Sequence, residues 1–171
     1  YTRFIPPQDY GILEMLDVTI SIAGIFIGMG ISNAVARFYY LYETEEERKR
    51  VVSTAILATG TLTAVAAVLG WHLAEPISEL LFTDSRYSLF IRLTFITFAF
   101  NSIMEIPMTY LRALEKSVSF SITAIGRLIV ALALNILFVV YYDLGILGIL
   151  YSGIITSTLF STGVAIFTLS R

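Results

Sequence analysis

Val51-Val-Ser-Thr-Ala-Ile-Leu-Ala-Thr-Gly60-Thr-Leu-Thr-Ala-Val-Ala-Ala-Val-Leu-Gly70-Trp-His-Leu-Ala74 decides the fold. These 24 residues contain no Asp, Glu, Lys or Arg. A hydrocarbon core about 30 Å thick takes roughly 20 apolar residues of helix to cross. The stretch is bounded by charge and by proline: Arg48-Lys49-Arg50 precedes it and Glu75-Pro76 follows. Val18–Ala36, Leu93–Met104, Leu128–Tyr142 and Leu144–Ser170 repeat the pattern between short charged joints. The fold class is therefore all-α: a polytopic membrane bundle with five transmembrane helices in one domain over residues 1–171.

Composition supports a bilayer over water. The 171 residues are 57% hydrophobic and 14% charged, with mean hydropathy +0.81; soluble domains run at about 25% charged. There is no Cys and one His, His72. That removes disulfides, thiolate metal sites and nearly every zinc or Ser-His-Asp scheme. No catalytic cluster, cofactor motif or nucleic-acid signature is present, so neither an enzyme nor a cofactor nor a nucleic-acid partner is expected. The chain begins at Tyr1 without Met and ends directly after an apolar run, which reads as an internal piece of a longer protein. Residues 1–9 lack the apolar core of a signal peptide.

The spans are expected at about 10–40, 45–73, 85–111, 118–142 and 146–169. Asp9 is a plausible N-cap for the first. Thr44 and Glu47 have capping-box spacing, which starts the second at Glu45. Glu75-Pro76 should end it, leaving Ile77–Phe82 as a short interfacial segment. Pro107 falls inside the third span, where it removes a donor and predicts a kink. Gly145 and Gly148 are placed in the turn between the last two spans.

Basic residues orient the bundle. Alternating joints give one side Arg37, Arg48, Lys49, Arg50, Arg112, Lys116, Arg127 and Arg171, and the other Arg3, Arg86 and Arg92. Eight against three makes loops 41–50 and 112–117 cytoplasmic. Phe38, Tyr39, Tyr40 and Tyr42 at one interface, and Trp71, Phe82, Tyr87, Tyr141 and Tyr142 at the other, form the aromatic belts. The Glu43–Glu47 cluster reads as a solvated helix start.

Glu14, Asp17, Ser21, Gly24, Gly28 and Ser32 fall on one helical face of the first span, with Gly24 and Gly28 in GxxxG spacing that lets helices approach closely. The second span is also rich in small residues: Ala55, Thr59, Gly60, Thr63, Ala64, Ala67 and Gly70.

A charge near the bilayer centre costs several kcal/mol and persists where it pairs or lines a polar cavity. Asp17, Arg92, Glu105 and Arg127 are such residues. At 1.5 Å per residue Glu105 lies roughly 10 Å and Arg127 roughly 13 Å from the same side, so they are expected to be neighbours. Asp17, roughly 12 Å deep from the other side, matches the depth of Arg92. Thr94, Phe98, Asn101, Glu105 and Arg112 share one side of the third span, with Arg92 nearly opposite. Thr123 and Arg127 are one turn apart on the fourth. Each charge also has a plainer reading: Arg92 and Arg37 as snorkelling side chains, Glu105–Arg127 as a structural ion pair. Asn33, Asn101 and Asn135 read first as interhelical hydrogen bonders.

Four segments resemble the oligosaccharide flippase branch of the multidrug/oligosaccharidyl-lipid/polysaccharide exporter superfamily. They are Phe4-Ile-Pro-Pro-Gln-Asp-Tyr10-Gly11; Gly28-Met-Gly-Ile-Ser-Asn-Ala-Val-Ala-Arg37-Phe-Tyr-Tyr with Glu45-Glu-Glu-Arg-Lys-Arg50; Ile106-Pro107 with Leu111-Arg112-Ala113-Leu-Glu-Lys116; and Leu144-Gly-Ile-Leu-Gly-Ile-Leu. The likeness spans the whole chain and rests on the order of these motifs. It implies helices two to six of the amino-terminal lobe of a larger two-lobed transporter, whose remaining half is a partner. It also implies movement of polyprenyl-diphosphate-linked oligosaccharide across the cytoplasmic membrane for cell-surface polysaccharides such as O-antigen. Membrane lipids surround such a protein, and a polysaccharide polymerase and glycosyltransferases are its implied associates. Arg127, Arg37, Arg92 and Asn101 are then candidates to receive substrate, since Arg matches phosphate oxygens. Glu105, Asp17 and Glu14 are candidates to restrain those arginines or carry a coupling ion. A lipid II flippase, a multidrug or cation antiporter, a polyprenyl-phosphate enzyme and a structural scaffold are the alternatives.

Overall fold

The computed structural model describes residues 6–28, 30–42 and 44–169. Arg3, Glu43 and Arg171 lie outside these residues, as do the side chains of Ser32, Tyr39, Tyr40 and Glu45. Among the described residues seven α-helices follow in order: α1 (Pro7–Gly28), α2 (Ile31–Leu41), α3 (Glu45–His72), α4 (Ala74–Phe82), α5 (Ser88–Ala113), α6 (Ser117–Asn135) and α7 (Gly145–Leu169). A 3-10 turn (Ser85–Tyr87) precedes α5, and a π-helical turn (Ile136–Tyr141) extends α6. No strand occurs among the described residues.

The single span expected at 10–40 is two helices. Helix α1 is described to Gly28, and α2 starts at Ile31 with Gly30 as a turn residue at its N-cap. Each glycine costs about 1 kcal/mol against alanine in a helix interior, so two within three residues make this the weakest point of the segment. The start of α3 is as expected: the Glu47 amide donates to Thr44 Oγ1, and the Thr44 hydroxyl donates to Glu47 Oε2 at 2.7 Å. Arg48 Nε donates to the carbonyl of Tyr42 at 2.9 Å, fastening α3 to the end of α2.

Helix α3 stops at His72, and α4 starts at once with Pro76 in its first turn, where a missing amide is tolerated. Thr83 then adopts left-handed backbone (φ 57°). The Asp84 carboxylate accepts from the Arg86 amide at 2.9 Å and from Arg86 Nε at 2.7 Å. The Arg86 side-chain bond first, and the amide bond after it, hold the Asp84 carboxyl below its ordinary value.

Helix α5 is the hub and packs against all six other helices. Pro107 lies buried within it, leaving the Ile103 carbonyl without its usual donor. Leu16, Ala74, Ile91, Leu93, Phe95, Ile146 and Leu150 form one core joining α1, α4, α5 and α7 at the end that carries the 73–87 joint. The other end has two smaller cores: Val35, Val52, Ala55 and Ile106, and Met104, Leu111 and Val164. These contacts fix the directions. Helices α1, α2 and α7 run with α5, and α3 and α6 run against it, so joints 42–44 and 114–116 share one end.

Small residues set the close approaches. Gly70 faces the Phe95 ring so tightly that an added methyl would overlap it. A Cβ placed on Gly24 would lie 3.5 Å from the Phe98 ring. Gly148 lies inside α7 rather than in the turn, and its Cβ position is 3.0 Å from the Phe138 backbone, so the π turn rests on α7. Gly145 does supply the turn, with φ 53°. Helix α7 buries Ser152, Thr156, Ser157 and Ser161, a small-residue face beyond the two that the sequence analysis marked. Helix α6 buries no side chain between Ser117 and Asn135. Val118, Ile122, Leu128 and Ile129 are at least 60% exposed, as a lipid-facing or partner-facing helix requires.

A polar cleft between α5 and α6

Helices α5 and α6 diverge around a cavity of about 420 Å³. Asn101, Met104, Glu105, Met108 and Arg112 supply one wall. Their spacing is that of one helical face. Phe120, Ala124 and Arg127, at i, i+4 and i+7, supply the other. Three of the seven sequence-selected residues, Asn101, Glu105 and Arg127, therefore meet in one place.

The polar contact of Arg127 is not the one expected. Its Nη2 donates to Oδ1 of Asn101 at 2.6 Å, one turn from Glu105 along α5. Glu105 is exposed on the same wall. A guanidinium stays charged at any physiological pH and has five donors. One amide oxygen leaves most of those donors available to a ligand in the cleft. Arg112 stands at the mouth with its Cζ 5.4 Å from the Phe120 ring centroid, in cation–π range. The cleft thus sets two cations against one carboxylate.

Arg92 is elsewhere. Its Nη2 contacts Glu75 Oε1 at 3.1 Å, and its Cζ lies 5.2 Å over the Trp71 ring. Arg92 does not reach Asp17, which matches it in depth; it clamps the end of α3, the start of α4 and the start of α5 together. Sequence depth alone missed it because Glu75 lies on the short helix α4, not on a span. Arg37 is exposed on α2 and is not brought to the cleft. Glu14, Asp17 and Ser21 are exposed on α1, although the stripe they share puts Gly24 against α5. Thr123 faces away from the cleft, lining a groove of about 620 Å³ between α6 and α7. Asn135 accepts a hydrogen bond from the Ser152 hydroxyl at 2.6 Å and so links α6 to α7. Among the described residues no group of three or more His, Asp or Glu side chains is placed to hold a metal.

Among the described residues four helices, Glu46–His72, Ser85–Arg112, Ser117–Tyr141 and Gly145–Val164, are long and apolar enough to cross a membrane. With a charged cleft between two of them, the fold defines a multi-pass helical membrane protein. A family model described as "Polysaccharide biosynthesis protein" matches residues 1–170. The chain belongs to that family. Comparison with curated proteins and with solved structures gives no match.

Proposed function

We propose that this chain is part of a flippase that carries polyprenyl-diphosphate-linked oligosaccharides across the cytoplasmic membrane. The observation that carries the reading is Arg127: a half-buried guanidinium, held by Asn101 in a cleft within an apolar bundle, with Arg112 on the same wall system. A lipid diphosphate is doubly anionic, and planar Arg donors match its oxygens. Two cations over one acid favour an anionic cargo and weigh against a cationic drug. Family membership supports a transporter serving polysaccharide synthesis. No enzymatic role is assigned. Rocking of two lobes about a central path supplies alternating access, and the other lobe is the implied partner, together with a polymerase and glycosyltransferases. On this reading loops 41–50 and 112–117 are cytoplasmic.

The test is complementation of a flippase-null strain by the full-length protein at matched membrane expression. Arg127→Ala is expected to lower surface polysaccharide by about tenfold or more, the worth of one well-placed charged contact. Wild-type polysaccharide from that variant removes Arg127 from transport. Rescue of a strain lacking its lipid II flippase, but not of one lacking its O-antigen flippase, would assign the sibling function instead.

A further inference from the structure

A second opening, separate from the cleft, lies between α2 and α3 and holds about 580 Å³. Its floor is firm: Val35 and Ala55 are buried in the core they share with Val52 and Ile106. Phe38 and Ala58 stand on its walls. At its far end a Cβ built on Gly30 meets no described atom within 4 Å. From Arg50 to Ala58 the groove follows roughly 12 Å of helix at 1.5 Å per residue. That is most of one leaflet of a hydrocarbon core about 30 Å thick. The length and the apolar lining fit an aliphatic chain lying along the bilayer normal.

The rim selects the head. Glu47 and Arg50, three apart on α3 and so on one face, are both exposed at the groove's mouth. A ligand that satisfies both carries an anion and a hydrogen-bonding cation close together above a hydrocarbon tail. We propose that this groove holds one acyl chain of a phosphatidylethanolamine molecule, with its phosphate at Arg50 and its ammonium at Glu47. Phosphatidylglycerol offers no cation to Glu47. Phosphatidylcholine offers a quaternary ammonium with no N–H to donate. The site is independent of the transport reading and would serve as a fixed lipid anchor for the joint between α2 and α3.

The test uses the membrane protein reconstituted in nanodiscs of equal parts phosphatidylethanolamine, phosphatidylcholine and phosphatidylglycerol, with tightly held lipid counted by native mass spectrometry. Wild type is expected to retain phosphatidylethanolamine over the other two by about fivefold. Ala58→Leu, which fills the groove, should abolish retention. Glu47→Gln keeps the capping-box geometry, because Gln serves there as Glu does, and should erase the preference over phosphatidylcholine. Equal retention of the three lipids by wild type overturns the proposal, as does unchanged retention in Ala58→Leu. Should Ala58→Leu fail to fold, Glu47→Gln decides alone: an undiminished preference for phosphatidylethanolamine overturns the assignment.

Discussion

The two ends of this bundle are built differently. At the end bearing the 73–87 joint, one continuous core of seven buried side chains ties four helices together. A cation–π contact and an ion pair at Arg92 close it off. At the other end the core divides in two, and openings of about 580, 420 and 620 Å³ separate α2 from α3, α5 from α6 and α6 from α7. The charges follow the same division. Arg92 meets a carboxylate on its own side, whereas Arg127 is held by a neutral amide and faces a cavity. Two half-buried arginines, one towards each end of α5's neighbourhood, thus sit in different surroundings: Arg92 between a carboxylate and a ring, Arg127 against one amide oxygen at the edge of a cavity.

The strongest way to break the comparison is at Gly70, in the closed end. Gly70→Leu drives a side chain into the Phe95 ring and should destabilise by about 3 kcal/mol or more. A monodisperse, wild-type elution profile and thermal midpoint in detergent would contradict that close approach. Next, Arg92→Ala is expected to cost about 1 kcal/mol in stability by detergent unfolding while leaving polysaccharide export near wild type. Arg127→Ala should show the reverse pattern, with export lost and stability little changed. Export lost equally in both variants would erase the division of labour. Smaller still is the Asn135–Ser152 hydrogen bond between α6 and α7. A double-mutant cycle with Asn135→Ala and Ser152→Ala should give a coupling of about 0.6 kcal/mol, the usual size for such bonds in membranes.

The slightest effect belongs to Asp84. Its carboxyl is held below the ordinary value by the hydrogen bonds from Arg86, so its contribution to stability is complete above pH 3.8 and fades as pH falls through the lowered value. Asp84→Asn should therefore melt slightly below wild type at neutral pH, and the gap should close in acid. A gap that widens on acidification would refute the arrangement.

Much of this was readable from sequence, for identifiable reasons. The Thr44–Glu47 cap is local chemistry within four residues: Thr44 caps α3 as expected, although the Glu47 carboxylate takes the Thr44 hydroxyl rather than its amide. The cleft residues of α5 recur at helical spacing, and counting depth from a shared joint put Arg127 near them. What depth could not supply was the partner within the cleft: Asn101 and Glu105 are one turn apart, and only packing decides which one the guanidinium reaches. The Glu75 clamp stayed hidden because it crosses from a span to a short interfacial helix. The interruption before α2 was missed because apolar composition continues through it, although Gly-Met-Gly gave a local signal. The small-residue face of α7 was visible as Ser152, Thr156 and Ser157, but Ser and Thr within a long apolar run look alike whether they face lipid or protein.

That face has a mechanical consequence. The Ser157 hydroxyl donates to the Ile154 carbonyl at 3.1 Å and the Ser161 hydroxyl to the Thr158 carbonyl at 3.3 Å, both within α7. On the opposing helix, Thr97 likewise donates to its own Leu93 carbonyl at 3.0 Å. Hydroxyls that turn back on their own backbone leave these positions of the α5–α7 seam without cross-helix latches. A slip of α7 along α5 would strip no hydrogen bond from Ser157, Ser161 or Thr97, so resistance there comes from shape alone, as in a greased bearing rather than a ratchet.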